Sequence, residues 1–279
     1  LRLAETFLPR VVLMENVQGF VAGPHSVAAR IASEFDAINQ RCSTSYKVST
    51  AILDAADFGV PQRRRRAIIA AFRDGEEMIW PEPTHSDAPI RAWDALHDVK
   101  VTEPAPAIGK WSALLPSIPE GSNYLWHTSH GEGKPLFGYR TRYWSFLLKL
   151  AKDQPSWTLP AQPGPSAGPF HWDNRPLAPE EALRLQSFPS DWCAEGTRRE
   201  QIRQIGNATP PLLAEVIGRA IRTTLGIATT SEPLVLRISR KKTIPAASPV
   251  ADVPDRFLDL VGDHPDHPGT GAGPKPRSN

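Results

Sequence analysis

The chain has 279 residues, 40% of them hydrophobic and 22% charged, with a formal net charge of +2. Such a composition is ordinary for a folded domain large enough to bury a core, and the charge is too small to imply nucleic acid by itself. No apolar run approaches the roughly 20 residues of a membrane span, Leu1–Arg10 lacks the regions of a signal peptide, and Cys42 and Cys193 form neither a disulfide framework nor a metal-binding spacing. The expectation is a cytoplasmic protein with no membrane segment and no metal. Leu1–Leu8 reads as the end of a helix already in progress, and with Leu rather than Met in first place it leaves truncation open. Val11–Met14 is wholly apolar, which predicts a strand buried on both faces of a parallel sheet and stopped by Glu15 and Asn16. Val27, Ile31, Phe35 and Ile38 share one face of a helix. Tyr46, Val48, Thr50 and Ile52 alternate as a second strand does, and Ala67–Ala70 gives a third after a turn at Phe58–Pro61. Strand, helix, strand, loop and strand over residues 10–72 point to an α/β fold.

From Glu76 to Trp172 periodicity weakens and prolines multiply. The 29 prolines of the whole chain are about twice the usual share of roughly 5%. Trp80, Trp93, Trp111, Trp126, Trp144, Trp157 and Trp172 fall here, too many for a linker, so a small, irregular, mostly non-helical domain is predicted. Pro179 suits a helix start, with Glu180 and Glu181 near its positive end. A last helix begins at Pro211 and shows Leu213, Ile217, Ile221 and Leu225 on one side. Beyond Thr229 the sequence is rich in Pro, Gly, Asp and Lys, and disorder is expected over its last fifteen residues.

Four segments carry chemistry. Glu15-Asn16-Val17 ends the first strand, where α/β sheets bind ligands; a partly desolvated carboxylate there can hold or deliver a proton. Gln62 through Arg66 includes four adjacent arginines. If it is extended, Gln62, Arg64 and Arg66 share one face and Arg63 and Arg65 the other, an array suited to phosphates or base edges. Arg175-Pro176-Leu177 runs on to Glu181, Arg184-Leu185-Gln186 and Phe188-Pro189. Gln204-Ile205-Gly206-Asn207-Ala208-Thr209-Pro210-Pro211 reads as a turn feeding a helix, with free backbone N–H groups for an anionic ligand. Taken singly, each also reads as an ordinary turn, cap or solvated edge. Between them, Lys134–Lys152 holds Lys134, Arg140, Arg142, Lys149 and Lys152 with no acidic residue, interleaved with aromatics that either stack on bases or form a core.

In this order the four blocks resemble the later motifs of carbon-5 cytosine DNA methyltransferases over residues 11–221. The resemblance implies a partial Rossmann-like methyltransferase domain with a target-recognition domain inserted. Residues 1–75 and 174–228 would be catalytic, 76–173 the recognition domain and 229–279 a tail. It implies S-adenosylmethionine as methyl donor, double-stranded DNA as partner, and a cytosine flipped out of the stack. Glu15 would contact ring nitrogen 3 and the exocyclic amine, and Arg66 would hold the base carbonyl with Arg64 in support. Asn16 would orient the loop, and Asn207 and Ala208 would line the cofactor's methionine end. Arg175, Glu181 and Arg184 would be structural. Gln62, Thr158, Leu159, Arg140 and Arg142 would approach DNA. Ala178 stands where the family often has a capping Thr.

The family's Phe-x-Gly-x-Gly cofactor loop and Pro-Cys nucleophile loop do not occur in these residues. A fragment or subunit inactive alone, completed by an N-terminal partner carrying the Pro-Cys block, is expected, as part of a restriction-modification system. A non-catalytic DNA-binding module or degenerate relic is the rival.

Overall fold

The structure is a computed structural model that describes residues 1–21, 26–102, 104–228 and 232–267. After the short helix α1 (Arg2–Phe7) come strand β1 (Val11–Val17), helix α2 (Val27–Cys42), and strands β2 (Lys47–Asp54) and β3 (Arg65–Phe72). The sheet order is β1-β3-β2, and β3 is antiparallel to both neighbours. The parallel sheet expected from Val11–Met14 is therefore corrected. It is β3 that lies in the middle, with Ala67–Phe72 all buried, while β1 is an edge strand whose Leu13 is 45% exposed. Strand pairing is decided by distant partners, and an apolar run does not reveal them. β1 also continues through Glu15 and Asn16 to Val17.

Alternation along β3 sends its side chains to two layers. Ile69 and Ala71 pack with Ile31, Phe35 and Ile38 of α2. Ile68, Ala70 and Phe72 face the last helix, α6 (Pro211–Thr224), through Leu212, Leu213, Ile217 and Ala220. Each of the Ile, Leu and Phe side chains among them, fully buried, contributes about 1.5–3 kcal/mol. Ser26 caps α2 by accepting the Ala29 N–H at 3.3 Å, and Val27, predicted on the apolar face, is 40% exposed.

The middle segment is irregular, as the prolines predict. Among its described residues are one short helix, α3 (Ala92–Leu96), and 3₁₀ turns at Ser112–Ser117 and Tyr124–His127. Leu114, Leu115, Ile118, Tyr124, Leu136 and Leu147 make a core of its own. A second core crosses the boundary drawn at 173/174, joining Leu150, Leu159 and Trp172 to Leu177, to Leu183 and Leu185 of helix α4 (Pro179–Leu185) and to Ile205 of helix α5 (Arg198–Asn207). Part of the tail packs against the middle segment. Val253 and Phe257 are buried in the middle segment's core. Ala251 N donates to Pro116 O at 3.0 Å and His267 N to Tyr139 O at 2.7 Å. Of the last fifteen residues, 268–279 lie outside the described residues.

Candidate active site

Because β3 runs against β1 and β2, its first residues meet the carboxyl ends of both. Val17 pairs with Arg66 and Asp54 with Arg65. Glu15 therefore sits diagonally from Arg66 on the same face, and the two side chains form an ion pair, Arg66 Nε to Glu15 Oε1 at 2.9 Å, 13% and 29% exposed. Arg66 Nη1 donates to Arg65 O at 2.9 Å. Asn16 turns its Oδ1 to the Val17 N–H at 2.8 Å, fixing the exit from β1.

The segment leading into β3 is held from both sides. A 3₁₀ turn at Ala55–Phe58 ends on Gly59 with φ of 89°, where a Cβ would also come 3.1 Å from the His85 ring. Asp54 Oδ1 accepts the N–H groups of Ala56 and Arg64, at 3.2 and 2.9 Å. Arg63 N donates to Ser156 O at 2.8 Å, and Thr158 Oγ1 donates to Arg63 O at 2.7 Å. These bonds tie the arginine block to the middle segment.

The predicted alternation holds from Gln62 to Arg65, whereas Arg66 lines one cleft with Arg63 and Arg65. Arg63 and Arg65 are exposed, whereas Gln62 and Arg64 are wholly buried. Arg64 faces no cleft. Its Nη2 donates to Gly206 O at 2.8 Å and Ala208 O at 2.9 Å, and its Nη1 to Leu159 O at 3.4 Å. Burial, followed by the like charge of Arg66, holds its pKa down to about 10. Arg64 thus ties the turn after α5 to the start of β3.

Val17, Gln18 and Ile52 line a cleft of about 700 Å³ together with Asp54, Asp57, Arg63, Arg65, Arg66, Trp144, Trp157 and Thr158. Of the residues expected to approach DNA, Thr158 lines this cleft, and Arg140 and Arg142 are exposed elsewhere on the middle segment. Gln62 and Leu159 offer a duplex no surface. Leu159 is in the core, and its N–H donates to Gln62 Oε1 at 3.3 Å. Lys149 and Lys152 are likewise removed from the expected basic face. Lys149 Nζ is buried against Leu115 O and Asn174 Oδ1, and Lys152 pairs with Glu120. A second, mostly apolar cavity of about 660 Å³ lies between the 160–169 loop and α5, and none of the residues expected to act on the base line it.

Gly206 and Asn207 end a helix instead of opening one, which corrects the expected anion-binding turn. α6 starts with Pro210 and Pro211, which have no N–H, and the Leu212 N–H is taken by Ser187 Oγ at 3.1 Å. Sequence periodicity missed α5 because Ile202 and Ile205 are a thin apolar stripe. The signal was the capping box, in which Thr197 Oγ1 and Glu200 each cap the other's N–H. Asn207 is exposed beside the turn that Arg64 clamps. Arg175 makes a bidentate pair with Glu181 at 2.7 and 2.8 Å, Glu181 also accepts the Ala178 N–H, and Arg184 lies 3.6 Å from Asp98. The Glu181 carboxylate thus satisfies the Ala178 N–H, while Ala178 itself offers no side-chain cap. Burial pushes Glu181 up, but the Arg175 hydrogen bond and its other partners hold it below the usual range. Cys42 ends α2 and Cys193 is exposed, and neither lines the cleft.

Residues 1–223 match the family model for C-5 cytosine-specific DNA methylases. The chain belongs to that family. It is 36% identical over 256 residues to the type II methyltransferase M.SacI of Streptomyces achromogenes, covering 81% of this chain and 63% of that protein. With M1.HphI of Haemophilus parahaemolyticus it shares 30% identity over 235 residues, covering 79% of this chain and 58% of the relative. The chain therefore spans about three fifths of these relatives. A solved structure of a protein encoded within an E. coli prophage, described as a DNA modification methyltransferase, aligns with a TM-score of 0.53 at 22% identity over 81% of this chain and 72% of that one. That likeness places the fold among α/β methyltransferase domains. Among the described residues no helix is long and apolar enough to cross a membrane.

Proposed function

We propose that this chain supplies the base-holding and DNA-recognition parts of a cytoplasmic DNA (cytosine-5-)-methyltransferase of a type II restriction-modification system. The observation that carries this reading is the Glu15–Arg66 ion pair, whose arginine lines the cleft where three strand ends converge. The Watson–Crick edge of cytosine presents two acceptors, O2 and N3, beside one amine donor. Arg66 donates to O2, and Glu15 donates a proton to N3 or accepts from the amine. Both contacts spread negative charge from attack at ring carbon 6 into the ring, which is stabilisation of charge where it develops. Arg63 and Arg65 face the phosphates that the extruded base carries with it.

S-adenosylmethionine supplies an electrophilic methyl group when bound. Asn207 and Ala208 would hold its amino-acid end, and they fit it on one side. The exposed Asn207 amide offers a donor and an acceptor on a turn that Arg64 pins through Gly206 O and Ala208 O. The attacking thiolate is to come from a separate segment carrying the Pro-Cys block, so the chain alone is inactive. The test incubates the chain with duplex DNA and tritiated S-adenosylmethionine, with and without a polypeptide carrying that block. Label is expected only in the complemented mixture, and Glu15→Gln should lower its rate at least a hundredfold with DNA affinity nearly unchanged. Label from the chain alone, or none after complementation, refutes the reading.

A further inference from the structure

The wall of the cleft contributed by the middle segment carries two indoles that the scheme above leaves unused. Trp144 and Trp157 both line the cleft, with ring centroids 5.6 Å apart. They remain 47% and 38% exposed, although other tryptophans of the segment, such as Trp172, are packed into a core. Their backbone is nevertheless fixed. Asn123 Nδ2 donates to Trp144 O at 2.7 Å, Ser156 Oγ donates to Trp157 O at 2.8 Å, and the next residue, Thr158, is bonded to Arg63 O. Two indoles in contact, tilted 53° to each other, thus stand part-exposed on a held frame, and leaving them in water forgoes the burial that aromatic side chains ordinarily achieve.

The other residues that line the cleft indicate what they meet. Arg63, Arg65 and Arg66 share the cleft with Asp54 and Asp57. A trough for phosphate alone is poorly served by two carboxylates among three guanidinium groups. A neutral heterocycle with donors and acceptors on its rim suits both kinds of group and presents a π-face to the indoles. We propose that Trp144 and Trp157 form a stacking platform for a DNA base that has left the duplex stack. This rests on the reading of the cleft given above. Because every base has a π-face, the platform favours unstacked bases without selecting sequence.

The test uses two fluorescently labelled duplexes of the same sequence. One carries a single extrahelical cytosine and the other an abasic residue at that position, so backbone charge is identical. By fluorescence anisotropy the wild-type chain should prefer the cytosine bulge by about tenfold. Trp144→Ala and Trp157→Ala should each lose most of that preference, Trp157→Phe should keep part of it, and Arg63→Ala should weaken both complexes alike. The phenylalanine variant keeps the comparison open if an alanine variant does not fold. Equal affinity of the wild type for the two duplexes, no binding of either, or an undiminished preference in every tryptophan variant overturns the proposal. Equal affinities with label still incorporated on complementation would reject the platform and spare the methyl-transfer reading. An intact preference with no label would do the reverse.

Discussion

Replacing Arg64 by methionine tests whether the buried guanidinium is the clamp described above. The stem is kept, while two short charge-assisted bonds and one longer bond are lost, at 2.8, 2.9 and 3.4 Å. Each short bond contributes about 1.5–3 kcal/mol, and the Gly206 carbonyl would be left buried and the Ala208 carbonyl half-buried with their partner gone. Against this stands relief from burying a cation, since a pKa held near 10 corresponds to a burial cost of about 3 kcal/mol. The bonds and orphaned carbonyls outweigh the relief, so Arg64→Met should lose about 2 kcal/mol. Arg64→Ala, which adds a cavity, should lose about 4 kcal/mol. Urea unfolding followed by tryptophan fluorescence measures both, and amide hydrogen exchange should show the turn after α5 opening more readily in the methionine variant. A methionine variant within 0.5 kcal/mol of wild type would refute the clamp, because the three carbonyls would then do as well without it.

In the complemented enzyme, Arg66→Ala should lower methyl transfer at least tenfold more than Arg63→Ala or Arg65→Ala; equal losses would mark a generic phosphate edge. Burial, against the pull of Glu181, holds His171 down to about 4, so the unfolded chain takes up a proton there below pH ~6.5 while the folded chain stays neutral. Stability from this group is therefore complete above that pH and falls by up to about 3 kcal/mol as pH drops towards 4. His171→Asn should flatten the change in urea midpoint between pH 7 and pH 5. Phe257→Ala, which empties a buried site against Trp111, should cost about 3–5 kcal/mol and reduce the near-ultraviolet circular dichroism of the middle segment.

What could be read from the sequence was mostly local. Alternation from Gln62 to Arg65 follows from extended backbone, and the structure buries Gln62 and Arg64 as that periodicity requires. The helices at Val27 and Pro211 were legible because apolar residues recur at helical spacing over four turns. What could not be read depends on partners far along the chain. Nothing in Val11–Met14 says that β3 will pair with it in the opposite direction, yet that direction brings Glu15 beside Arg66. Lys149 and Lys152 look like part of a DNA-facing array until Asn174 and Glu120 are placed around them. Val253 and Phe257 are lone apolar residues among prolines and aspartates, without a period to announce burial.

The tail's burial has a consequence for how the molecule is made. Synthesis proceeds from the N-terminus, and domains generally fold as their residues emerge. When Leu225 has been added, the sheet, α2 and α6 have all their residues. The core around Trp111, Leu114, Leu136 and Leu147 still lacks Val253 and Phe257. The arginine-rich half of the cleft is thus finished before the lobe opposite it. A nascent chain passes through a stage in which that lobe's apolar interior is open to water, and aggregation at this stage should be relieved by supplying residues 232–267 as a separate peptide.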